Sequence, residues 1–314
     1  MRVLFWGTPT FAIPTLRALL GEGFEVVGVV TRPDRPAGRG RRISPPPVKV
    51  MAEDEALRVL QPARPVDEAF LAEARALQPD VGVVAAYGRF LPAEALDLPP
   101  HGTVNVHPSL LPELRGAAPI QWALIRRLER TGVSVIRLVE EMDAGPVLRQ
   151  VVEPILPGES ATELALRLAE LGAEALVETL TLMEAGSIEE VEQDHSRATF
   201  APALTVDDAR VDWSREPEEN AGWIRGLDNI PGAWTTHGGT RLKVFRPQPA
   251  DALPGGEPGA VTELDPRDDG SGVRVASGGG SLWLGEVQPE GRRRMPAAAW
   301  VRGGAIAEGD RLGE

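Results

Sequence analysis

At 314 residues the chain exceeds the usual size of one compact domain, and its 42% hydrophobic and 25% charged content excludes disordered and membrane-embedded classes. A net charge of −13 excludes a protein that coats nucleic acid with its whole surface, because neutralising phosphates takes local lysine and arginine. The lack of cysteine excludes disulfide staples, thiolate catalysis and sulfur-held zinc.

In chain order, Val3 to Trp6 reads as a short buried strand that stops at Gly7, after which Phe11, Leu16, Leu19 and Leu20 repeat at helical spacing. Strands follow at Glu25 to Thr31, near Arg58 to Gln61, at Val81 to Ala85 and at Thr103 to Val106, with a helix carrying Phe70, Leu71, Ala74 and Leu77 before the fourth. Strands apolar on both faces, alternating with helices, predict an α/β fold with a mostly parallel sheet covered on both sides. Pro119 to Leu128 reads as a helix, and Val133 to Leu138 and Val147 to Val152 as strands. Ser160 to Glu163 has capping-box form before an apolar helical run to about Met183.

From Gly186 the chain turns polar and acidic, so the expected division is a first domain over 1–188, a linker over 189–206 and a second domain over 207–314. In the latter a helix at Glu218 to Leu227 precedes short strands at Thr240 to Phe245, Ala260 to Glu263, Val273 to Ala276 and Ser281 to Leu284. Close glycine and proline punctuation predicts a small, nearly closed β-barrel. No segment approaches a membrane span and Met1 to Gly7 is too short for a signal-peptide core, so a cytoplasmic protein is expected.

Gly7 is the one glycine of a dinucleotide fingerprint that needs three, which speaks against a nicotinamide cofactor. The sharper signal is Asn105-Val106-His107-Pro108-Ser109-Leu110-Leu111-Pro112, where a strand meets its C-terminal loop, the ligand-binding edge of open α/β sheets. Alternation puts Asn105 and His107 on one face. An amide can donate to a developing oxyanion, and an imidazole can donate or shuttle a proton. Asp143, after the Val133 to Leu138 strand, can orient the imidazole or take a proton from an attacking amine. Each residue also fits a plain role as a turn former or satisfied structural group. The residues alone leave both readings open. The four histidines have no paired spacing, and no metal is expected.

On Gly7-Thr8-Pro9-Thr10-Phe11-Ala12, the run from Arg32 to Gly40, Ala86-Tyr87-Gly88, Asn105 to Pro112, Arg115-Gly116-Ala117-Ala118-Pro119-Ile120-Gln121 and Asp143-Ala144-Gly145, the chain closely resembles the methionyl-tRNA formyltransferases. Asp212-Trp213, Ile224-Arg225 and Pro231 to Trp234 extend the resemblance over nearly the whole length. It implies a Rossmann-like formyltransferase domain followed by an OB-like barrel. It also implies Asn105, His107 and Asp143 as the catalytic set, and Ser109, Leu110, Leu111 and Pro112 on the side of the cleft that takes 10-formyltetrahydrofolate. The acceptor would be the amine of methionyl initiator tRNA, and the enzyme is expected to act as a monomer. Glu113 and Leu114 depart from the basic and aromatic pair of many relatives, which predicts a cleft of different fine shape or charge.

Between Arg32 and Arg42 five arginines meet one acid on an otherwise acidic chain, in an extended loop rich in proline and glycine. A solvated loop is the plain reading. The sign reversal and the resemblance favour RNA contact, with Arg39, Arg41 and Arg42 at the acceptor end of tRNA. Lys243, Arg246 and Arg292 to Arg294 are further candidates on the barrel. The rivals are a formyltransferase acting on an amino sugar nucleotide or on glycinamide ribonucleotide, which gives the arginine arm no purpose, and a non-catalytic RNA-binding protein, in which His107 is dispensable.

Overall fold

A computed structural model describes residues 1–37, 42–250, 256–267 and 272–314. The chain divides into two compact units. One comprises Met1–Pro119, Thr131–Pro154 and Ala165–Ala201, and the other Ile120–Arg130, Ile155–Leu164 and Pro202–Glu314.

The first unit is built on a seven-stranded sheet. Its strands are β1 (Arg2–Gly7), β2 (Glu25–Val30), β5 (Val59–Leu60), β6 (Val81–Ala85), β7 (Thr103–His107), β8 (Arg130–Arg137) and β9 (Val147–Pro154). They lie in the order β5-β2-β1-β6-β7-β8-β9, parallel from β5 to β7, with β8 antiparallel to β7. This is the mostly parallel sheet expected from strands with no polar face. Helices α1 (Ile13–Gly21), α2 (Pro47–Asp54), α3 (Glu68–Ala76) and α4 (Ala93–Leu96) connect the parallel strands. Helices α2 and α4 are short and interrupted by charge, and periodicity did not predict them.

Trp6 anchors one face of this sheet, edge-on to Phe70 at 5.6 Å and to Tyr87 at 5.2 Å between ring centroids. Such pairs contribute about 0.5–1.5 kcal/mol each beyond the area they bury. Gly82 lets β6 and β7 approach closely, since a Cβ there would lie 2.5 Å from Thr103 Oγ1. That threonine hydroxyl bonds the Leu96 carbonyl at 2.9 Å. The register puts Gly7 beside Ala85 and Val84 beside Asn105, so the C-terminal ends of β1, β6 and β7 open onto one edge.

The arginine-rich segment is a two-stranded antiparallel ribbon of β3 (Arg35–Ala37) and β4 (Arg42–Ser44), outside the main sheet. Arg39 and Arg41 lie outside the described residues, and Arg42 is described only as backbone of β4. Lys49 bonds both carboxylate oxygens of Asp34, at 3.0 and 2.9 Å, and Gln61 bonds Asp34 and the Arg32 carbonyl. Lys49 is thus committed to the base of the ribbon.

Helix α5 (Pro119–Ile125) is shorter than predicted, because Arg127 turns into the left-handed region at φ 55°. Helix α6 (Ala161–Glu184) opens on the predicted capping box, with the Ser160 N–H bonding Glu163 at 2.9 Å and the Glu163 N–H bonding Ser160 Oγ at 3.4 Å. No helix among the described residues is long and apolar enough to cross a membrane.

The second unit carries α7 (Pro217–Gly226), β10 (Trp234–His237), β11 (Thr240–Ala250), β12 (Val261–Leu264), β13 (Val273–Ser277), β14 (Gly280–Pro289), β15 (Met295–Pro296) and α8 (Ala297–Arg302). The antiparallel order is β10-β11-β14-β13-β12, with β15 on β14. Gly238 and Gly239, at φ 54° and 72°, make the two-residue turn joining β10 to β11, a geometry that needs positive φ at both positions. Val244, Val273, Val275, Leu282, Leu284 and Val287 fill the interior with Trp213 and Ile224.

The barrel predicted from the strand pattern is drawn together by the chain's last turn. Val261 N–H bonds the Asp310 carbonyl, Leu312 N–H bonds Gly259, and Gly313 N–H bonds Thr236, which ties the β12 edge to β10. Asp310 also meets His237 Nε2 at 2.9 Å. Strand β10 and helix α8 went unpredicted, since Trp234–His237 is only four residues long and the alanine run of α8 has no amphipathic period.

Candidate active site

His107 closes β7 and is buried, with 4% of its surface exposed. Its Nε2 lies 3.1 Å from the Leu114 carbonyl and its Nδ1 3.6 Å from Asp143 Oδ1. A carbonyl oxygen only accepts, so a proton on Nε2 suits this contact, while the carboxylate, also an acceptor, faces the Nδ1 edge beyond hydrogen-bond distance. The structure therefore brings the two predicted partners together, and adds Leu114 through its backbone. Leu114 holds φ 62° with its side chain buried, and its N–H bonds Thr199 Oγ1 at 2.9 Å. The sequence departure at 114 faces the interior.

Asp143 also adopts a left-handed conformation, φ 51°. Its Oδ2 accepts the Gly116 N–H at 2.8 Å, leaving Oδ1 toward the imidazole. Asn105 stands two residues before His107 on the same face of β7, half-buried, and among the described residues its side-chain amide makes no hydrogen bond. That amide is open to solvent, so its donors and its acceptor are available to a ligand.

The Ser109 to Pro112 loop is organised from beneath. Ser109 Oγ donates to the Glu113 carbonyl at 2.7 Å, so this hydroxyl is fully buried and already used. Through its hydroxyl, Ser109 thus shapes the loop. Ser134 Oγ donates to the Ser109 carbonyl at 2.7 Å and accepts the Leu111 N–H at 3.0 Å, while Gln150 bonds both Ser134 and the Leu111 carbonyl. Leu110 and Pro112 remain half-buried and Leu111 is buried.

At the neighbouring ends of β1 and β6, Thr8 Oγ1 bonds the Tyr87 carbonyl at 2.9 Å. The Tyr87 hydroxyl and the Arg32 Nε are buried without a partner among the described residues. Burial pushes the Tyr87 phenol up, and burial, together with the Arg35 and Arg89 charges, pushes the Arg32 guanidinium down.

Arg115 and Gln193 had no predicted role, yet both are buried behind Asp143. Arg115 is part of a recognisable motif. Gln193 falls in the polar, aperiodic stretch expected to be linker, and nothing in the sequence marks it.

Within the second unit, Arg126, Arg127 and Arg225 line a cavity of about 590 Å³ with Gly158, Gln248 and a single acid, Glu218. Arg225 bonds the Glu159 carbonyl at 3.4 Å, and burial pushes its guanidinium down. Of the predicted barrel cations, Arg292 and Arg293 are exposed, whereas Lys243, Arg246 and Arg294 are committed to the fold. Lys243 bonds the Pro231 carbonyl at 2.6 Å, Arg246 pairs with Glu163, and Arg294 pairs with Asp228 and Glu286 while covering the Phe245 ring.

The chain matches the family model described as formyl transferase over residues 1–180, and that described as formyl transferase, C-terminal domain, over 203–305. It is 43% identical over 314 residues to a methionyl-tRNA formyltransferase of Geobacter sulfurreducens, covering 100% of this chain and 97% of that one. It is 46% identical over 316 residues to one of Thermus thermophilus, covering 100% of both. Among solved structures, HypX from Aquifex aeolicus in complex with tetrahydrofolic acid aligns over 96% of this chain with a TM-score of 0.68 and 20% identity. The chain spans 47% of HypX, and that likeness is one of fold.

Proposed function

The chain belongs to the methionyl-tRNA formyltransferase family, and from that premise we propose that it formylates the methionine amine of initiator tRNA through Asn105, His107 and Asp143. The formyl donor is 10-formyltetrahydrofolate. The observation that carries the assignment is the buried His107 imidazole at the ligand-binding edge of the sheet, with a carboxylate on one ring nitrogen and a carbonyl on the other.

The amine attacks the formyl carbon, whose bond to the folate nitrogen then breaks. The nitrogen–carbon bond forms, the amine loses a proton and the departing folate nitrogen gains one. Asn105 donates its free amide to the oxyanion. His107 offers its Nε2–H, which a charged oxygen draws away from the neutral Leu114 carbonyl, because hydrogen bonds to ionised acceptors are about twice as strong. Asp143 orients the imidazole and takes the amine proton.

The residues present suit the donor. A folate carries a polar pterin edge, an aromatic linker and carboxylates. The Tyr87 hydroxyl and Arg32 Nε offer unpaired donors, and Leu110 to Pro112 an apolar wall. For RNA, Arg39, Arg41 and Arg42 serve the acceptor end, and the cavity of Arg126, Arg127 and Arg225 forms a second basic surface suited to phosphodiesters. The reacting side chains lie within residues 1–188 and RNA handling is shared with 207–314; of the 189–206 stretch between them, residues up to Ala201 belong to the first unit. The enzyme works in the cytoplasm as a monomer.

The test is formyl transfer from 10-formyltetrahydrofolate to methionine-charged initiator tRNA, at low and raised salt, beside His107→Ala. Transfer that is salt-sensitive and lost in the variant upholds donor, acceptor and centre together. Undiminished transfer by the variant refutes the centre. Folate binding without transfer to tRNA redirects the search to small amino-bearing nucleotides.

A further inference from the structure

Gln193 is buried, and its amide is shared between the turn that carries Asp143 and Arg115. Its Nε2 donates to the Asp143 carbonyl at 2.8 Å and to the Gly145 carbonyl at 2.7 Å. Its Oε1 accepts from Arg115 Nε at 3.2 Å and Nη2 at 2.7 Å. The charged, bidentate donor fixes which way the amide faces, because a guanidinium can only donate. Arg115 is itself held, with Nη2 also 3.0 Å from His195 Nδ1 and its backbone paired to Thr199 and Ala201.

The turn needs such support. Asp143 occupies the left-handed region, which a side-chain-bearing residue keeps only when its surroundings over-determine it. Gly145 is pressed so close to β8 that a Cβ would stand 2.0 Å from the Arg137 carbonyl. One amide group bonding the carbonyls on either side of Ala144 locks both peptide planes. The next residue after Arg115, Gly116, supplies the N–H that donates to Asp143 Oδ2, so backbone and carboxylate of Asp143 are referred to the same segment.

We propose that Gln193 is a positioning residue for formyl transfer. Clamped by Arg115, it sets the peptide frame of Asp143 so that the carboxylate faces His107. This rests on the reading that Asp143 belongs to the reactive centre.

The test compares Gln193→Glu, which keeps the acceptor for Arg115 but loses the donor, with Gln193→Met, which removes both without adding charge. Each is also combined with Asp143→Asn, and circular dichroism confirms folding. In the wild-type background either folded variant should lower kcat about tenfold to a hundredfold, the usual cost of losing a residue that orients a reactive group, with KM for both substrates nearly unchanged. In the Asp143→Asn background the same change should cost almost nothing more, because residues acting as a unit are non-additive. Folded variants that keep wild-type kcat overturn the proposal. So do losses that multiply in full with that of Asp143→Asn, or that fall on KM alone. If Asp143→Asn itself turns over normally, it is the assignment of Asp143 that fails, whatever Gln193 does.

Discussion

Arg246 grips Glu163 with two parallel bonds, Nη2 to Oε1 at 2.7 Å and Nη1 to Oε2 at 3.1 Å, while the same carboxylate closes the capping box of α6 with Ser160. One side chain thus satisfies a helix N-terminus and fastens β11 to it within the second unit. Arg246, with burial opposing and Ser160 assisting, holds the Glu163 carboxyl at about 2 against an ordinary 4.5.

A depressed carboxylate stabilises the fold fully above its unfolded pKa and loses that contribution as pH falls through the folded one. Here the window runs from about pH 4.5 down to about 2. Glu163→Gln retains a capping-box side chain and removes the charge. The urea midpoint of the variant should lie below that of the wild type at pH 7, and the gap should narrow as the pH is lowered through this window. The pair is partly exposed, so the gap is a screened fraction of what the shift suggests. A gap that stays constant or widens contradicts the assignment.

Asn105→Ala removes the proposed oxyanion donor without disturbing a described hydrogen bond. Turnover should fall about a hundredfold to a thousandfold, with folate and tRNA affinities preserved. Steady-state kinetics with each substrate in turn, beside equilibrium folate binding, decide it. A variant that loses affinity and keeps kcat removes Asn105 from the centre.

Ser134→Ala strips two partners from the Ser109 to Pro112 loop and leaves the Leu111 N–H buried and unpaired. An unsatisfied buried donor costs about 1–3 kcal/mol. Urea denaturation should report that loss, and KM for the folate should rise more than KM for tRNA. Equal effects on the two substrates contradict the placement of the folate against this loop.

Replacing Arg39, Arg41 and Arg42 together with alanine should weaken tRNA binding and flatten its salt dependence, by roughly one unit of log–log slope for each phosphate left unneutralised. Transfer at saturating tRNA should change far less. Filter binding across a salt series measures it, and an unchanged slope takes the ribbon out of the RNA surface.

Much of this architecture was legible because burial writes itself into sequence. Val81–Ala85 is apolar at every position since both faces of β6 are covered, and the strand's bounds are as predicted. His107 and Asp143 were legible as a pair because each follows a recognisable strand. Leu114 was not, because what it contributes is a backbone carbonyl, which no side-chain pattern encodes. Gln193 was hidden for another reason. Its partners lie 48 to 78 residues away, in a stretch without period, so that only the folded chain reveals the contact.

The Arg115–Gln193 clamp also bears on how this enzyme can be dissected. A fragment cut after α6 at 188 would keep Asn105, His107 and Asp143 and the whole parallel sheet, but not the amide that frames Asp143, nor Thr199 and Ala201, which hold the segment around Arg115. Where the sheet is complete and where the reaction machinery is complete are different points along the chain. Anyone grafting this centre onto another acceptor-binding domain should join the pieces beyond Ala201, treating residues 191–201 as part of the catalyst's scaffold.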